Sequence, residues 1–128
     1  MSLRQPHSAT QLKLVAEQAR GRTGCVRCAS LVCPGWESQP SDFDPAALVT
    51  LGTLRDGSDE PTWEEFHPQG TRTGSPSAPI AVGYFPYNRC DVLACVACGR
   101  AFLGYTETGG YYVDVRIREL NADLVVTA

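Results

Sequence analysis

The chain has 128 residues, 43% of them hydrophobic, and carries a net charge of −3. That size suits one globular domain burying roughly two thirds of the surface its unfolded form exposes, and it leaves no room for a second domain of ordinary size. Six cysteines fall short of the roughly 8–10% of residues found in small disulfide scaffolds, and no stretch approaches the roughly 18 apolar residues of a membrane span. Met1 to His7 lack the apolar run of a signal peptide, so the expected compartment is the cytoplasm. There, paired cysteines bind metal or do redox chemistry more often than they form structural bridges.

Ser8-Ala9-Thr10-Gln11 has capping-box spacing and precedes Leu12, Val15, Ala16 and Ala19 at helical intervals. This predicts a helix over about residues 9–20, closed by Gly21. Asp44-Pro45 predicts a short helical start through Ala46 and Ala47. Leu48 to Leu54 reads as a strand, Asp56-Gly57 as a turn, and Thr62 to Phe66 as the returning partner. Residues 37–79 are therefore expected to form an acidic, β-rich insert. Pro68 to Pro79, rich in Gly, Ser, Thr and Pro, is a loop long enough to be mobile or functional.

Ile80 to Phe85 is strand-like and stops at Pro86. A knuckle and hairpin are expected over about residues 90–118: Ala101 to Thr106 runs into Thr108-Gly109-Gly110, and Tyr111 to Arg118 returns. In the return strand Tyr111, Val113, Val115 and Ile117 share one face, expected to be core. Tyr112, Asp114, Arg116 and Arg118 share the other, expected to be wet. The apolar tail Leu120 to Val126 is expected to add a strand or dock on the core. The fold class predicted is α+β, a small single domain with an N-terminal helix and a mostly antiparallel sheet.

Cys25-Val26-Arg27-Cys28 and Cys95-Val96-Ala97-Cys98 are two Cys-x-x-Cys pairs. Each spacing lets two thiolates from one tight turn reach adjacent corners of a tetrahedral Zn²⁺, and two such turns complete a closed site. Gly99 after the last cysteine permits the positive-φ turn of a metal knuckle. Cys95-x-x-Cys98-Gly99-Arg100 followed by a hairpin resembles the C-terminal half of zinc-ribbon and rubredoxin-like domains. The resemblance covers about Cys95 to Arg118 plus the first pair, and it implies a structural metal, zinc or iron, joining the two ends of the chain. Two departures stand out: Ala29 rather than glycine follows Cys28, and 66 residues separate the pairs. Cys33 and Cys90 are left over, as buried thiols, substitute ligands or a disulfide.

Four cysteines close the coordination sphere, whereas catalytic zinc keeps an open position. The chain has no H-E-x-x-H, no G-x-S-x-G and no phosphate-binding glycine loop. Only His7 and His67 offer an imidazole, and a thioredoxin-like redox role would set the Cys-x-x-Cys at a helix N-terminus rather than before a strand.

Charge is uneven along the chain. Residues 1–36 carry five basic side chains against Glu17, residues 37–68 carry eight acids against Arg55, and the remainder balances. The expected function is therefore a non-catalytic, zinc-stabilised protein-binding module of adaptor, inhibitor or immunity type. Its contact surface is expected to hold Asp56, Asp59, Glu60, Glu64 and Glu65, with Tyr87 and Arg89 from an aromatic segment favoured at interfaces. The alternative is a nucleic-acid-binding ribbon using Arg20, Arg22 and Arg27, with Tyr105, Tyr111 and Tyr112 for stacking. A thiol redox enzyme is the lesser alternative. No membrane partner is implied, and the oligomeric state stays open.

Overall fold

The computed structural model describes residues 8–19, 25–31, 33–55, 57, 60–108, 111 and 113–126. Helix α1 spans Ala9–Ala19. Its start is a capping box: the Gln11 N–H donates to the Ser8 hydroxyl at 3.2 Å, and the Ser8 N–H donates back to Gln11 Oε1 at 3.0 Å. Gly21, the expected closing residue, lies outside the described residues. Leu12 and Ala16 form the buried stripe of the helix.

Among the described residues seven strands follow: β1 (Glu37–Ser38), β2 (Leu48–Thr53), β3 (Ile80–Ala81), β4 (Asp91–Cys95), β5 (Ala101–Thr108), β6 (Val113–Glu119) and β7 (Val125–Val126). Five of them make one sheet in the order β1-β6-β5-β4-β2, every pairing antiparallel. The remaining two, β3 and β7, form a short parallel pair. The fold is α+β, as the sequence predicts, and the apolar tail does add a strand.

Cross-strand partners share a face of the sheet. Ala101, Leu103, Tyr105 and Val92 point to the face covered by α1, where they pack with Leu12, Trp36, Ile80, Tyr87 and Val125. Phe102, Ile117 and Cys95 lie on the opposite face and pack with Cys28, Leu31 and Cys33. The sheet therefore separates a large apolar core from a smaller, cysteine-rich one.

Three expectations change. Residues 62–66 do not pair with β2, whose partner is β4. The backbone carbonyls of that stretch turn instead to the 85–89 segment. The Phe85 N–H donates to Glu64 O, Asn88 Nδ2 to Thr62 O, and the Arg89 guanidinium to Pro61 O. The predicted strand over residues 80–85 is only Ile80–Ala81, because the Tyr84 N–H turns back to Ala81 O at 3.0 Å.

The third change concerns the return strand. Its expected wet face carries Arg118, which is fully buried, while Val113 and Val115 on the expected core face stay 71% and 41% exposed. Arg118 is buried because acceptors surround it. Its Nε donates to Pro34 O at 3.2 Å, one terminal nitrogen donates to the Tyr87 hydroxyl, and the other donates to Pro76 O and Ala78 O at 3.1 and 2.9 Å. Arg116 on the same face is paired with Glu107 and Asp114. Val113 and Val115 lie toward the hairpin end and, among the described residues, are not members of the second core.

The same arginine holds the 68–79 loop down. Gly35 completes the seat, since a Cβ there would stand 2.7 Å from the Gly74 carbonyl oxygen. Replacing Arg118 with Met is expected to leave three carbonyls and a phenol short of a donor. Urea unfolding should show a loss of about 3 kcal/mol or more, with Arg118→Lys falling between parent and Met.

Candidate metal centre

Two turns bring the cysteine pairs together. In the first, the Cys28 N–H donates to Cys25 O at 3.2 Å and the Leu31 N–H donates to Cys28 O at 2.9 Å, so the knuckle runs straight into the 3₁₀ turn Ala29–Leu31. Ala29 thus occupies an ordinary right-handed turn, which is why no glycine is needed there. In the second, the Gly99 N–H donates to Cys95 O at 2.9 Å, and Gly99 has a φ of +79°, the left-handed region. The Cys95 N–H donates to Arg100 O, and the Val96 N–H to Ala47 O, so sheet and 3₁₀ turn Pro45–Ala47 both brace this knuckle.

The four Sγ atoms lie within 4.8 Å of one another. Cys25 to Cys28 is 3.8 Å, Cys25 to Cys95 is 3.6 Å and Cys28 to Cys98 is 3.5 Å. A tetrahedral site with metal–sulfur bonds of about 2.3 Å has edges of about 3.8 Å, so the cluster has the size of a filled four-thiolate centre. Cys28 and Cys95 are buried, and Cys25 and Cys98 are half-buried. Four sulfurs would suit zinc or iron and would leave no open coordination position.

The Cys28 N–H, chiefly, lowers the Cys25 thiol to about 7, while burial raises Cys28 to about 12. A cation held by the four sulfurs would favour the thiolate form of each.

Cys33 and Cys90 are not ligands. Cys33 Sγ donates to Leu31 O at 3.0 Å and to Ile117 O at 3.6 Å, and Cys90 Sγ donates to Pro86 O at 3.3 Å. Both are free, and burial pushes Cys33 up to about 11 and Cys90 well upward. They serve as small apolar side chains, each in a different core.

The proposed contact residues are distributed unevenly. Asp56 and Asp59 lie outside the described residues, as do Arg20, Arg22 and Tyr112. Glu60 and Glu64 are exposed. The carboxylate of Glu65 accepts from the Thr73 hydroxyl and contacts His67 Nε2 at 2.8 Å, and the Thr73 bond chiefly holds it below the usual carboxylate range. His67 Nδ1 meets the Thr71 hydroxyl at 2.8 Å, so this cluster ties the 65–73 loop together. Tyr87 is a correction: it is 4% exposed, stacked near Trp36 at 5.8 Å, and its hydroxyl receives Arg118.

Arg89 lies against an aromatic residue of the acidic stretch, Trp63. Its guanidinium carbon stands 3.9 Å over the Trp63 ring and 5.3 Å over Phe85, and Trp63 is 72% exposed. Trp63 and Phe85 are 5.0 Å apart.

Comparison of the chain with family models, curated proteins and solved structures gives no match. Among the described residues, no helix is long and apolar enough to cross a membrane.

Metal analysis of protein purified without added metal is expected to find about one divalent ion per chain. Cys25→Ser and Cys98→Ser should lose it, while Cys33→Ala and Cys90→Ala keep it. A strong chelator should lower the melting temperature by about 10 °C. Binding displaces thiol protons, so the ion is retained at alkaline pH and released as pH falls, a sign that a metal-release titration checks directly.

Proposed function

We propose that this is a non-catalytic protein-binding module held together by a structural zinc ion. Zinc suits four cysteine sulfurs at tetrahedral spacing, and such a centre stabilises the fold without activating water. The contact surface is the acidic, aromatic face formed by Glu60, Trp63 and Glu64 with Arg89 and Phe85 behind the indole.

The observation that carries this reading is the state of Trp63. An indole that is 72% exposed is also held in place, with a guanidinium 3.9 Å from one face. A rigid, exposed tryptophan beside arginine has the composition of an interface hot spot, since little side-chain freedom is left to lose on binding. Exposed carboxylates on Glu60 and Glu64 favour a partner of positive charge.

Affinity capture from the source cells, followed by sizing of the complex, tests this. One stoichiometric partner is expected, and Trp63→Ala should weaken its binding about 30-fold. Glu60→Gln with Glu64→Gln should chiefly slow association and flatten its salt dependence. Full retention by Trp63→Ala, with its fold intact by circular dichroism, would sink the assignment of this face.

A further inference from the structure

The second knuckle carries a charged side chain that coordination does not use. Arg100 lies two residues past Cys98, and its carbonyl accepts the Cys95 N–H at 2.9 Å, so its backbone belongs to the knuckle. Its guanidinium donates twice to one oxygen of Glu119, from Nε at 2.9 Å and from a terminal nitrogen at 2.6 Å. The two side chains are only 22% and 23% exposed, so solvent screens this pair less than a surface pair.

Glu119 is well placed to join the two halves of the centre. It stands opposite Phe102 in the β5–β6 register, and Phe102 belongs to the cysteine-rich core, so its carboxylate leaves the sheet on the metal side. Its own N–H donates to Cys33 O at 3.1 Å, on the segment that follows the first knuckle. One residue thus touches the first-knuckle segment through its backbone and the second knuckle through its side chain.

Charge adds to position. Four thiolates around one divalent ion leave a surplus of two negative charges. Arginine does not lose its proton in proteins, and Arg100 is built into the same knuckle as Cys95 and Cys98 through its carbonyl.

From this geometry we infer that Arg100, anchored by Glu119, is a positioning residue for the metal centre: it sets the spacing of the two knuckles and keeps a fixed positive charge on the second of them. The inference rests on the cysteine cluster being a metal site. Its ligand is a divalent soft or borderline cation, and its effect is on affinity rather than on coordination number.

Zinc affinity of the full chain, measured by competition with a chromophoric chelator at several salt concentrations, tests it. Arg100→Gln is expected to bind Zn²⁺ about 10-fold more weakly, as loss of an outer-shell partner does, with a shallower salt dependence than the parent. Arg100→Lys should recover most of the loss, and Glu119→Gln, which frees the guanidinium without removing it, should fall between. A merely structural role would lower the stability of zinc-bound and metal-free protein equally and leave affinity unmoved. Parent-like zinc affinity in both Arg100→Gln and Glu119→Gln overturns the inference. Should Arg100→Gln not fold even in excess zinc, Glu119→Gln decides alone. A parent chain that binds no zinc overturns the metal reading itself, which is a different result from a tight-binding parent with unaffected variants.

Discussion

Four thiol sulfurs packed to within 4.8 Å of one another are electrostatically unsuited to ionise together, and everything at this end of the molecule is arranged around that crowding. The pairs come from turns separated by 66 residues, so bringing them together closes most of the chain into one loop. A bound ion would convert the crowding into attraction and offset the closure entropy. The smaller core grows from the same point, because Cys28 and Cys95 are themselves among its buried members, beside Leu31, Phe102 and Ile117.

Arg118 organises the other face by a different route. It is a buried cation held by neutral groups: the carbonyls of Pro34, Pro76 and Ala78, the Tyr87 hydroxyl, and the Tyr87 ring at 6.0 Å. Each acceptor sits on a segment with no regular strand to fix it. A planar fork of donors can satisfy several such carbonyls at once, which an apolar side chain of the same volume cannot. The irregular 68–79 loop is thereby made part of the core, and Ala78 is fully buried. This leaves the 60–67 stretch, tied by its carbonyls to residues 85–89, as the irregular surface on which an aromatic and acidic face is displayed.

The parts of this architecture that were legible beforehand are those carried by local chemistry. The capping box at Ser8 and Gln11 needs only neighbours three residues apart, and it forms as written. The Cys-x-x-Cys turns and Gly99 likewise depend on short-range geometry, and they locate all four members of the sulfur cluster. Alternation along β6 also placed its residues on the correct shared faces. It does not say which side other segments will cover: Ile117 on the expected core face and Arg118 on the expected wet face are both buried, while Val113 and Val115 are exposed.

Sequence alone therefore determined the helix start, the two knuckles and the hairpin, each of which is decided within a few residues by capping, turn conformation or strand period. Tertiary structure alone decided the partner of β2, the burial of Arg118 and Tyr87, and the exposure of Trp63 over Arg89. Those outcomes depend on acceptors and surfaces supplied by segments tens of residues away. A buried arginine is tolerated only where such acceptors converge, and no pattern in its own strand reveals that convergence.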